Sequence, residues 1–278
     1  MTSTVMSLVL LGAFLHAGWN VLVKSSSDKV LDTALIHLFC SFIAIPILIW
    51  VGPPRAEAWP YLLASIGIHL AYYFALAKAY HHGDLSLTYP IMRGSAPLMV
   101  SIGSIFLFQE ALSLGSWAGV LLISVGVIWL GATAGFLNHR KALSFAMLNA
   151  AVIALYTLVD AKGVRASDTA LQYIATLFAL DGWIFSAVVL ARRVSTRKQY
   201  FLNRWPLMLG GAIASVASYA IALWAMTEAP VATVAALRET SVLFAVLLGV
   251  IFLKEKLTMS RLIAVCMIIV GAIFLRLS

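Results

Sequence analysis

The feature that most constrains this chain is a series of long apolar runs joined by short polar connections. Crossing a bilayer as a helix takes about 20 mainly apolar residues. Runs of that length lie near residues 4–24, 32–52, 59–80, 85–108, 113–134, 143–161, 168–191, 205–227, 229–253 and 258–276. The sequence therefore predicts an all-α membrane protein with ten transmembrane helices.

The composition agrees with residence in a lipid bilayer. Of the 278 residues, 62% are hydrophobic and 11% are charged, whereas a soluble domain is roughly 45–50% apolar and 25% charged. The excess of 19 Lys and Arg over 11 Asp and Glu lies mainly in the short connections, where basic residues set membrane orientation. We therefore expect the bilayer, and not nucleic acid, as a partner. Cys40 and Cys266 lie within apolar runs, so we predict no disulfide framework, no metal site and no cofactor.

An internal repeat divides the chain into two halves, which we place at residues 1–138 and 139–278. Sliding the sequence by 145 residues aligns several polar and glycine positions without a gap. The aligned pairs include Arg93 with Arg238, Glu110 with Glu255, and Gly126 with Gly271. Because each half has five helices, the second half must enter the membrane from the opposite side. We therefore predict two inverted five-helix repeats around a central cavity, an arrangement common in transporters.

The two repeat-related arginines lie within apolar runs. Arg93 follows Leu85 by eight residues and Arg238 follows Pro230 by eight, which puts each about 12 Å into its helix. Since the halves are inverted, these depths are counted from opposite membrane faces, and both arginines reach the midplane. A guanidinium there costs roughly 2.5 kcal/mol or more, so we predict that both line a water-filled cavity. The alternative is a buried strut, in which an arginine pairs with a carboxylate or with helix carbonyls.

Two acids are predicted to lie deep enough to balance these charges. Glu239 is adjacent to Arg238, and neighbours on a helix do not share a face, so we expect Glu239 to reach toward Arg93. Its repeat counterpart is Gly94, which makes this carboxylate asymmetric, and Asp181 lies midway along the seventh run. Two arginines with two carboxylates would favour a zwitterionic substrate. A protonated acid would instead leave the cavity positive and suited to anions.

Further polar and aromatic residues are predicted to line the cavity. In the HAGWN stretch of the first run, His16 and Asn20 are four residues apart and share a helix face. The full predicted lining is Arg93, Arg238, His16, Trp19, Asn20, His69, Tyr72, Tyr73, Tyr89, Ser95, Tyr156 and Thr240, with Glu239 and Asp181 in coupling or charge balance. Pro90 and Pro97 flank Arg93, and we expect them to loosen the fourth helix there.

The whole chain resembles a known family of membrane proteins. The likeness is carried by HAGWN, by GDLSLTYPIMRGSAPL at the start of the fourth run, and by Glu-x-Leu-Ser/Thr turns before GVLLISVGVIWL and AVCMIIVGAIFL. Together these motifs resemble the EamA-like branch of the drug/metabolite transporter superfamily. The resemblance implies a basket of helices 1–4 and 6–9 around a central cavity, with helices 5 and 10 outside it. HAGWN with the helix-four motif is also similar to a sub-branch associated with phosphonate utilisation.

Two arguments give different sides of the membrane for the termini. Lys and Arg are more numerous in the odd-numbered connections than in the even-numbered ones, which by the positive-inside rule puts the termini outside. The family resemblance implies cytoplasmic termini. Both orientations stay open within the expected location, the bacterial inner (cytoplasmic) membrane, for a monomer or a homodimer.

These features favour a secondary transporter that moves a small anionic or zwitterionic metabolite, such as an amino acid or an organophosphonate, by alternating access. The sequence has no Gly-x-x-x-x-Gly-Lys-Ser/Thr nucleotide-binding pattern, so we expect a co-transported proton or an exchanged metabolite to supply the energy. A flippase for a lipid-linked headgroup is the alternative within transport. An intramembrane enzyme is disfavoured, because the sequence has neither a His-Glu-x-x-His pair nor a Gly-x-Ser-x-Gly elbow.

Overall fold

A computed structural model of the chain describes residues 1–82, 85–132, 140–192, 197–254 and 258–278. The helices are α1 (Ser3–Lys24), α2 (Lys29–Val51), α3 (Trp59–His82), α4 (Leu85–Phe108), α5 (Leu114–Ala132), α6 (Arg140–Arg165), α7 (Ala170–Arg192), α8 (Arg197–Glu228), α9 (Val231–Arg238), α10 (Ser241–Leu253) and α11 (Met259–Leu277). Within the described ranges, eight helical stretches are long and apolar enough to cross a membrane, one of them formed by α9 and α10 together. The predicted all-α transmembrane architecture is confirmed.

Several helices begin at capping residues that the sequence supplies. Thr2 accepts the backbone N–H of Val5 at the start of α1, at 3.3 Å, and Asp28 accepts that of Leu31 at the start of α2, at 3.1 Å. Thr258 caps α11 in the same way. These side-chain oxygens satisfy N–H groups that have no partner within the helix, so the helix starts are fixed locally.

The eighth helix begins earlier than its apolar run. α8 starts at Arg197, eight residues before the apolar run that the sequence places at 205–227. Arg204 pairs with Asp32 at the start of α2, with 2.9 Å between Nη2 and Oδ2, and Tyr200 also donates to Asp32. Because these contacts hold the first turns of α8 against α2, the helix extends beyond the boundary that polarity indicates.

The ninth crossing, predicted over 229–253, is present, but it is divided into two helices and is not one continuous helix. α9 ends at Arg238 and α10 begins at Ser241. Between them, the N–H groups of Glu239 and Thr240 each donate to the carbonyl three residues earlier, at 3.0 Å. Such bonds tighten the backbone into a 3-10 turn. The break lies at Arg238 and Glu239, two charged residues that the sequence predicts to lie deep in the membrane.

The repeat-related fourth crossing is continuous, and the loosening expected beside Arg93 is not found. α4 runs from Leu85 to Phe108 through Pro90 and Pro97. Residues 91–97 are buried, and α4 packs against α5, α6 and α9. Prolines are tolerated in membrane helices when neighbouring elements support the backbone, so packing outweighs the local helix-breaking tendency here.

The helix neighbours confirm the inverted repeat. α2 packs on α7 and α5 packs on α11, and each pair joins equivalent helices of the two halves. The contact of α3 with α6 is matched by that of α8 with α1, and the contact of α4 with α6 by that of α10 with α1. These contacts are preserved when the halves are exchanged, as a two-fold axis requires. Five crossings reverse the chain direction, so the axis lies in the membrane plane.

Two close approaches between α5 and α11 obey the 145-residue offset. A Cβ atom on Gly119 would lie 2.8 Å from the carbonyl oxygen of Gly271, and one on Gly126 would lie 3.1 Å from that of Ala264. Under the repeat, Gly119 corresponds to Ala264 and Gly126 to Gly271, so the two contacts exchange with each other. Small residues let these two backbones meet closely, as is common between membrane helices.

Candidate substrate-binding site

A small cavity lies at the centre of the bundle, beside the break between α9 and α10. α4, α6 and α9 supply its walls. The lining residues are Arg93, Ala96, Pro97, Val100, Ile153, Tyr156, Thr157, Ala235, Arg238 and Glu239. Both repeat-related arginines and one carboxylate, that of Glu239, therefore line the same cavity.

Arg93 forms an ion pair with Glu239, the contact expected from the helix geometry. The distance from Nε to Oε2 is 2.9 Å, and the two side chains are 9% and 6% exposed. The groups are close but not aligned as a hydrogen bond: among the described residues, Nε and Nη2 of Arg93 and Oε2 of Glu239 have no hydrogen-bond partner. The charges offset each other, while Nε and Nη2 of Arg93 have no hydrogen-bond acceptor among the described residues. A buried donor in that condition costs about 1–3 kcal/mol, so an acceptor would stabilise this site.

The asymmetry between Gly94 and Glu239 has a packing cause. A Cβ atom on Gly94 would lie 2.6 Å from the Ile128 side chain and 2.8 Å from the Ser124 carbonyl oxygen, both on α5. Position 94 therefore has no room for a carboxylate. In the second half, Glu239 lies at the helix break and its side chain contacts Arg93.

Arg238 is held differently from Arg93. It is half-buried, and its guanidinium carbon lies 5.1 Å from the centre of the Tyr219 ring, within the range of a cation–π interaction. Among the described residues, Arg238 has no carboxylate within ion-pair distance. Of the two arginines on the cavity wall, Arg238 is therefore the one with no ion-pair partner in the described part of the chain.

The sequence analysis did not identify Asp160, a buried acid that bonds to Tyr219 next to the cavity. It is 0% exposed, and it accepts hydrogen bonds from Tyr173, at 2.8 Å, and from Tyr219. In the sequence it lies one residue before the end of the run at 143–161, where an acid usually marks the membrane surface. Its hydrogen bonds with tyrosines on two other helices mark it as part of the site, and the sequence alone does not show those contacts.

Tyr156 is the aromatic residue that lines the cavity, and other predicted lining residues lie around it or near the arginines without lining the cavity themselves. His69 stacks on Tyr156 with 4.6 Å between ring centres, and Tyr72 meets Tyr156 edge-on at 6.0 Å. His16 lies within electrostatic range of both arginines, and Tyr89 within that of Arg93 and Glu239. These predicted lining residues therefore gather around the arginines.

Other predicted lining residues bond to their own helices or lie aside. Asn20 donates to the His16 carbonyl at 2.7 Å, and Thr240 donates to that of Leu237 at 2.7 Å. Trp19 meets His16 edge-on with 5.4 Å between ring centres, and its Nε1 has no acceptor among the described residues. Ser95 is buried on α4 but does not line the cavity. The side chain of Tyr73 lies outside the described part of the structure.

Asp181 does not balance the arginines, contrary to the expectation from its depth in the sequence. It is half-buried on α7, within electrostatic range of His37 and Cys40 on α2. The next residue, Gly182, allows the close approach of these helices, because a Cβ atom there would clash with the His37 carbonyl oxygen. Asp181 therefore belongs to the α2–α7 side of the bundle, and Glu239 is the acid that pairs with a central arginine.

Helix ends are tied together on the membrane face that holds the N-terminus, here called the near face. Glu110, after α4, pairs with Arg165 at the end of α6, with 2.9 Å between Oε1 and Nη2. Its other oxygen accepts the N–H of Val231 at the start of α9, at 2.8 Å, where a carboxylate also interacts favourably with the helix dipole. Arg165 Nε donates to the Met226 carbonyl at 2.8 Å. The near face is therefore joined by one network of charge-assisted contacts. Repeat counterpart Glu255 lies outside the described residues.

Ten crossings in two inverted halves, with buried arginines around a central cavity, define a polytopic membrane protein of the transporter type. The chain belongs to the EamA-like transporter family, whose pattern matches residues 3–132 and again residues 140–277. The family is one of membrane transporters. Among the described residues, no group of three or more His, Cys, Asp or Glu side chains is placed to hold a metal ion.

Two further likenesses agree with the fold. A stretch of 54 residues is 43% identical to the uncharacterized protein y4nH of Sinorhizobium fredii (strain NBRC 101917 / NGR234), covering 19% of this chain and 46% of that protein. The match thus spans about half the length of that relative. A solved structure, described only as the crystal structure of a protein, has a TM-score of 0.76 to this chain at 18% identity, with 100% of this chain and 98% of the other covered. At that identity, the likeness shows the fold alone.

Proposed function

We propose that this protein is a secondary transporter that moves a small metabolite with an anionic group, such as a carboxylate or a phosphonate, across a bacterial inner membrane. The family supports the transport of a small solute. The preference for an anion rests on one observation: Arg238 lines the cavity without a carboxylate partner among the described residues, while Nη2 of Arg93 lacks an acceptor. Charge-assisted hydrogen bonds from two guanidinium groups suit a carboxylate or phosphonate oxygen.

The charge of the cavity wall supports an anion over a zwitterion. The wall holds Arg93, Arg238 and Glu239, which leaves one positive charge in excess. An ammonium group would need an acid that is not already engaged, and Glu239 is paired with Arg93. Asp160 is fully buried behind Tyr219, so a solute in the cavity meets Arg238 before any second carboxylate.

Alternating access is supported by two features of the second half. The ninth crossing is divided into α9 and α10 at the cavity, and broken helices at mid-membrane are typical of substrate sites in inverted-repeat transporters. Residues 231–237 of α9 are all buried, and the helix start is bound by Glu110. We infer that these near-face contacts hold one state of the transport cycle and separate in the other.

A melting-temperature screen with matched pairs of compounds tests this function. Small carboxylates and phosphonates would be added to the purified protein, each beside its uncharged amide or ester. We expect an acid, but not its neutral partner, to raise the melting temperature, because a ligand that binds only the folded state stabilises it by about 2.7 kcal/mol at 100 times its Kd. Equal stabilisation by acids and neutral partners, or stabilisation by amines alone, would contradict the anionic preference.

A further inference from the structure

Three carboxylates are fully or almost fully buried in the described part of the chain, and two of them are paired with arginine. Asp32 contacts Arg204 at 2.9 Å, and Glu239 contacts Arg93 at 2.9 Å. Asp160 is 0% exposed but has no Lys or Arg within ion-pair distance among the described residues. Among the described residues, two of the buried acids thus have an arginine partner and Asp160 has none.

Asp160 accepts hydrogen bonds from phenols of two other helices, and Ser65 of α3 is a further side-chain partner. Tyr173 of α7 donates to Oδ1 at 2.8 Å, and Tyr219 of α8 donates to Oδ2. The Tyr173 ring reaches the acid because position 163, one turn away on α6, is a glycine: a Cβ atom there would lie 2.5 Å from the Tyr173 ring carbon Cζ. Both carboxylate oxygens are therefore occupied, and the local packing is built around this contact.

Besides the two tyrosines that bond to it, Asp160 has ionisable neighbours on α3 and on its own helix, α6. His69 of α3 lies within its electrostatic range, and Tyr156 lies one turn away on the same helix. Tyr156 is in turn within range of Arg93 on α4, and of Arg238 and Glu239 at the α9 break. Tyr219 connects the two regions directly, because its hydroxyl bonds Asp160 and its ring holds Arg238.

A buried carboxylate with no Lys or Arg beside it is unfavourable in its ionised form and tends to take up a proton instead, although His69 acts on Asp160 electrostatically. The two tyrosine hydroxyls offset part of that cost by donating to the charged form. Both forms of Asp160 are therefore accessible, and the balance depends on the charge nearby. Arg238, across the Tyr219 ring, is the cation that a substrate anion would neutralise.

We propose that Asp160 is a proton-binding site that couples proton uptake to anion binding at Arg238. The coupling rests on the proposed function, since it needs an anion in the cavity. When the anion offsets the charge of Arg238, ionised Asp160 loses a favourable field, and a proton from water adds to one of its oxygens to give the neutral acid. When the anion leaves, the same O–H bond breaks and the proton returns to water. One proton thus accompanies each anion, and each ligand favours the binding of the other.

Asp160 is thus a third candidate for proton coupling, beside Glu239 and Asp181, which the sequence analysis proposed for coupling or charge balance. Glu239 has Arg93 to stabilise its charged form, and Asp181 lies on the α2–α7 side of the bundle, away from Arg238. Neither is joined to Arg238 by a shared tyrosine, as Asp160 is. Variants of the three acids therefore give different expected results.

Infrared spectroscopy of the purified protein across a pH series tests the proposal without any ligand. A protonated carboxylic acid gives its own carbonyl band, and we expect a pH-dependent band that Asp160→Asn removes and Asp181→Asn retains. Tyr219→Phe takes one donor from the ionised form, so the midpoint of the band should move up by about one to two pH units. Arg238→Ala, which mimics neutralisation by an anion, should also move it up, whereas the matched exposed variant Arg276→Ala should not.

The outcomes separate this proposal from the proposed function. A band that persists unchanged in Asp160→Asn, or no titrating band at all, overturns the proton site. A band that titrates but does not move in Arg238→Ala overturns the coupling. If Asp160→Asn does not fold, Tyr219→Phe decides alone, because its shift is expected only when the titrating acid is Asp160. If no small acid raises the melting temperature in the screen, the proposed anion transport is contradicted. The infrared test of the proton site uses no ligand and is still decided by its own result.

Discussion

Replacing Arg93 by alanine is expected to destabilise the protein by roughly 3–5 kcal/mol, because breaking a buried ion pair leaves an uncompensated charge. The stranded group is Glu239, which is 4% exposed and whose charge faces Arg93 at 2.9 Å. The measurement is the melting temperature of the purified, ligand-free protein in detergent, which should fall sharply in Arg93→Ala.

Two controls make this result specific. Arg276→Ala removes an arginine that contacts the Met1 carbonyl and the Ser3 hydroxyl at the exposed end of α11, and surface contacts of this kind contribute little. Adding Glu239→Gln to Arg93→Ala removes the stranded charge and should restore much of the lost stability. If Arg93→Ala melts like the wild-type protein, Arg93 does not act as the partner of a buried carboxylate.

Replacing Arg238 by alanine is expected to have the opposite effect, with a large loss of affinity and little loss of stability. No described carboxylate lies within ion-pair distance of Arg238, so its removal strands no directly paired acid and forfeits mainly the contact with the Tyr219 ring. A hydrogen bond to a charged group contributes about 1.5–3 kcal/mol, so affinity for the acid that stabilises the wild-type protein most should fall roughly tenfold to a hundredfold.

Lysine at position 238 separates charge from geometry. The guanidinium offers a planar fork to an acidic group, whereas an ammonium is a point donor. We therefore expect Arg238→Lys to lose nearly as much affinity as Arg238→Ala in a titration followed by melting temperature. Normal affinity together with a collapsed melting temperature in Arg238→Ala would show that Arg238 is a strut and not a binding residue.

The architecture could be predicted from the sequence because its signals are repeated many times. Each crossing is marked by an apolar run. The 145-residue offset pairs Gly119 with Ala264 and Gly126 with Gly271, and it exchanges two contacts in the structure, that of Gly119 with Gly271 and that of Gly126 with Ala264. The contact between Glu239 and Arg93 also followed from local geometry, since adjacent residues on a helix face different ways. These inferences need only chain order and helical periodicity.

The helix break was placed in the wrong half because local breakers are a weak guide inside a packed bundle. α4 carries Pro90, Gly94 and Pro97 and remains continuous, whereas the sequence from Val231 to Leu243 contains neither glycine nor proline and is interrupted. Tight packing of Gly94 against α5 holds the first helix. Charged residues at the cavity mark the interruption of the second.

The acids show a similar limit. Asp181 lies deep by position in its run, but depth along a helix does not say which neighbour the side chain faces, and it faces α2. Asp160 lies near the end of its run, yet tyrosines from α7 and α8 enclose it. Such partners come from distant parts of the chain, and helical periodicity within a single run carries no information about them.

The most direct test of the central claim is exchange of the stabilising acid across the membrane of proteoliposomes. Vesicles holding the unlabelled acid would be placed in a solution of the labelled acid, and uptake of label would be followed with time. We expect the wild-type protein and Arg276→Ala to accumulate label, and Arg238→Ala to accumulate little at the same concentration. If the acid stabilises the wild-type protein but no label enters the vesicles, the cavity binds the acid without transporting it, and the proposed function is wrong.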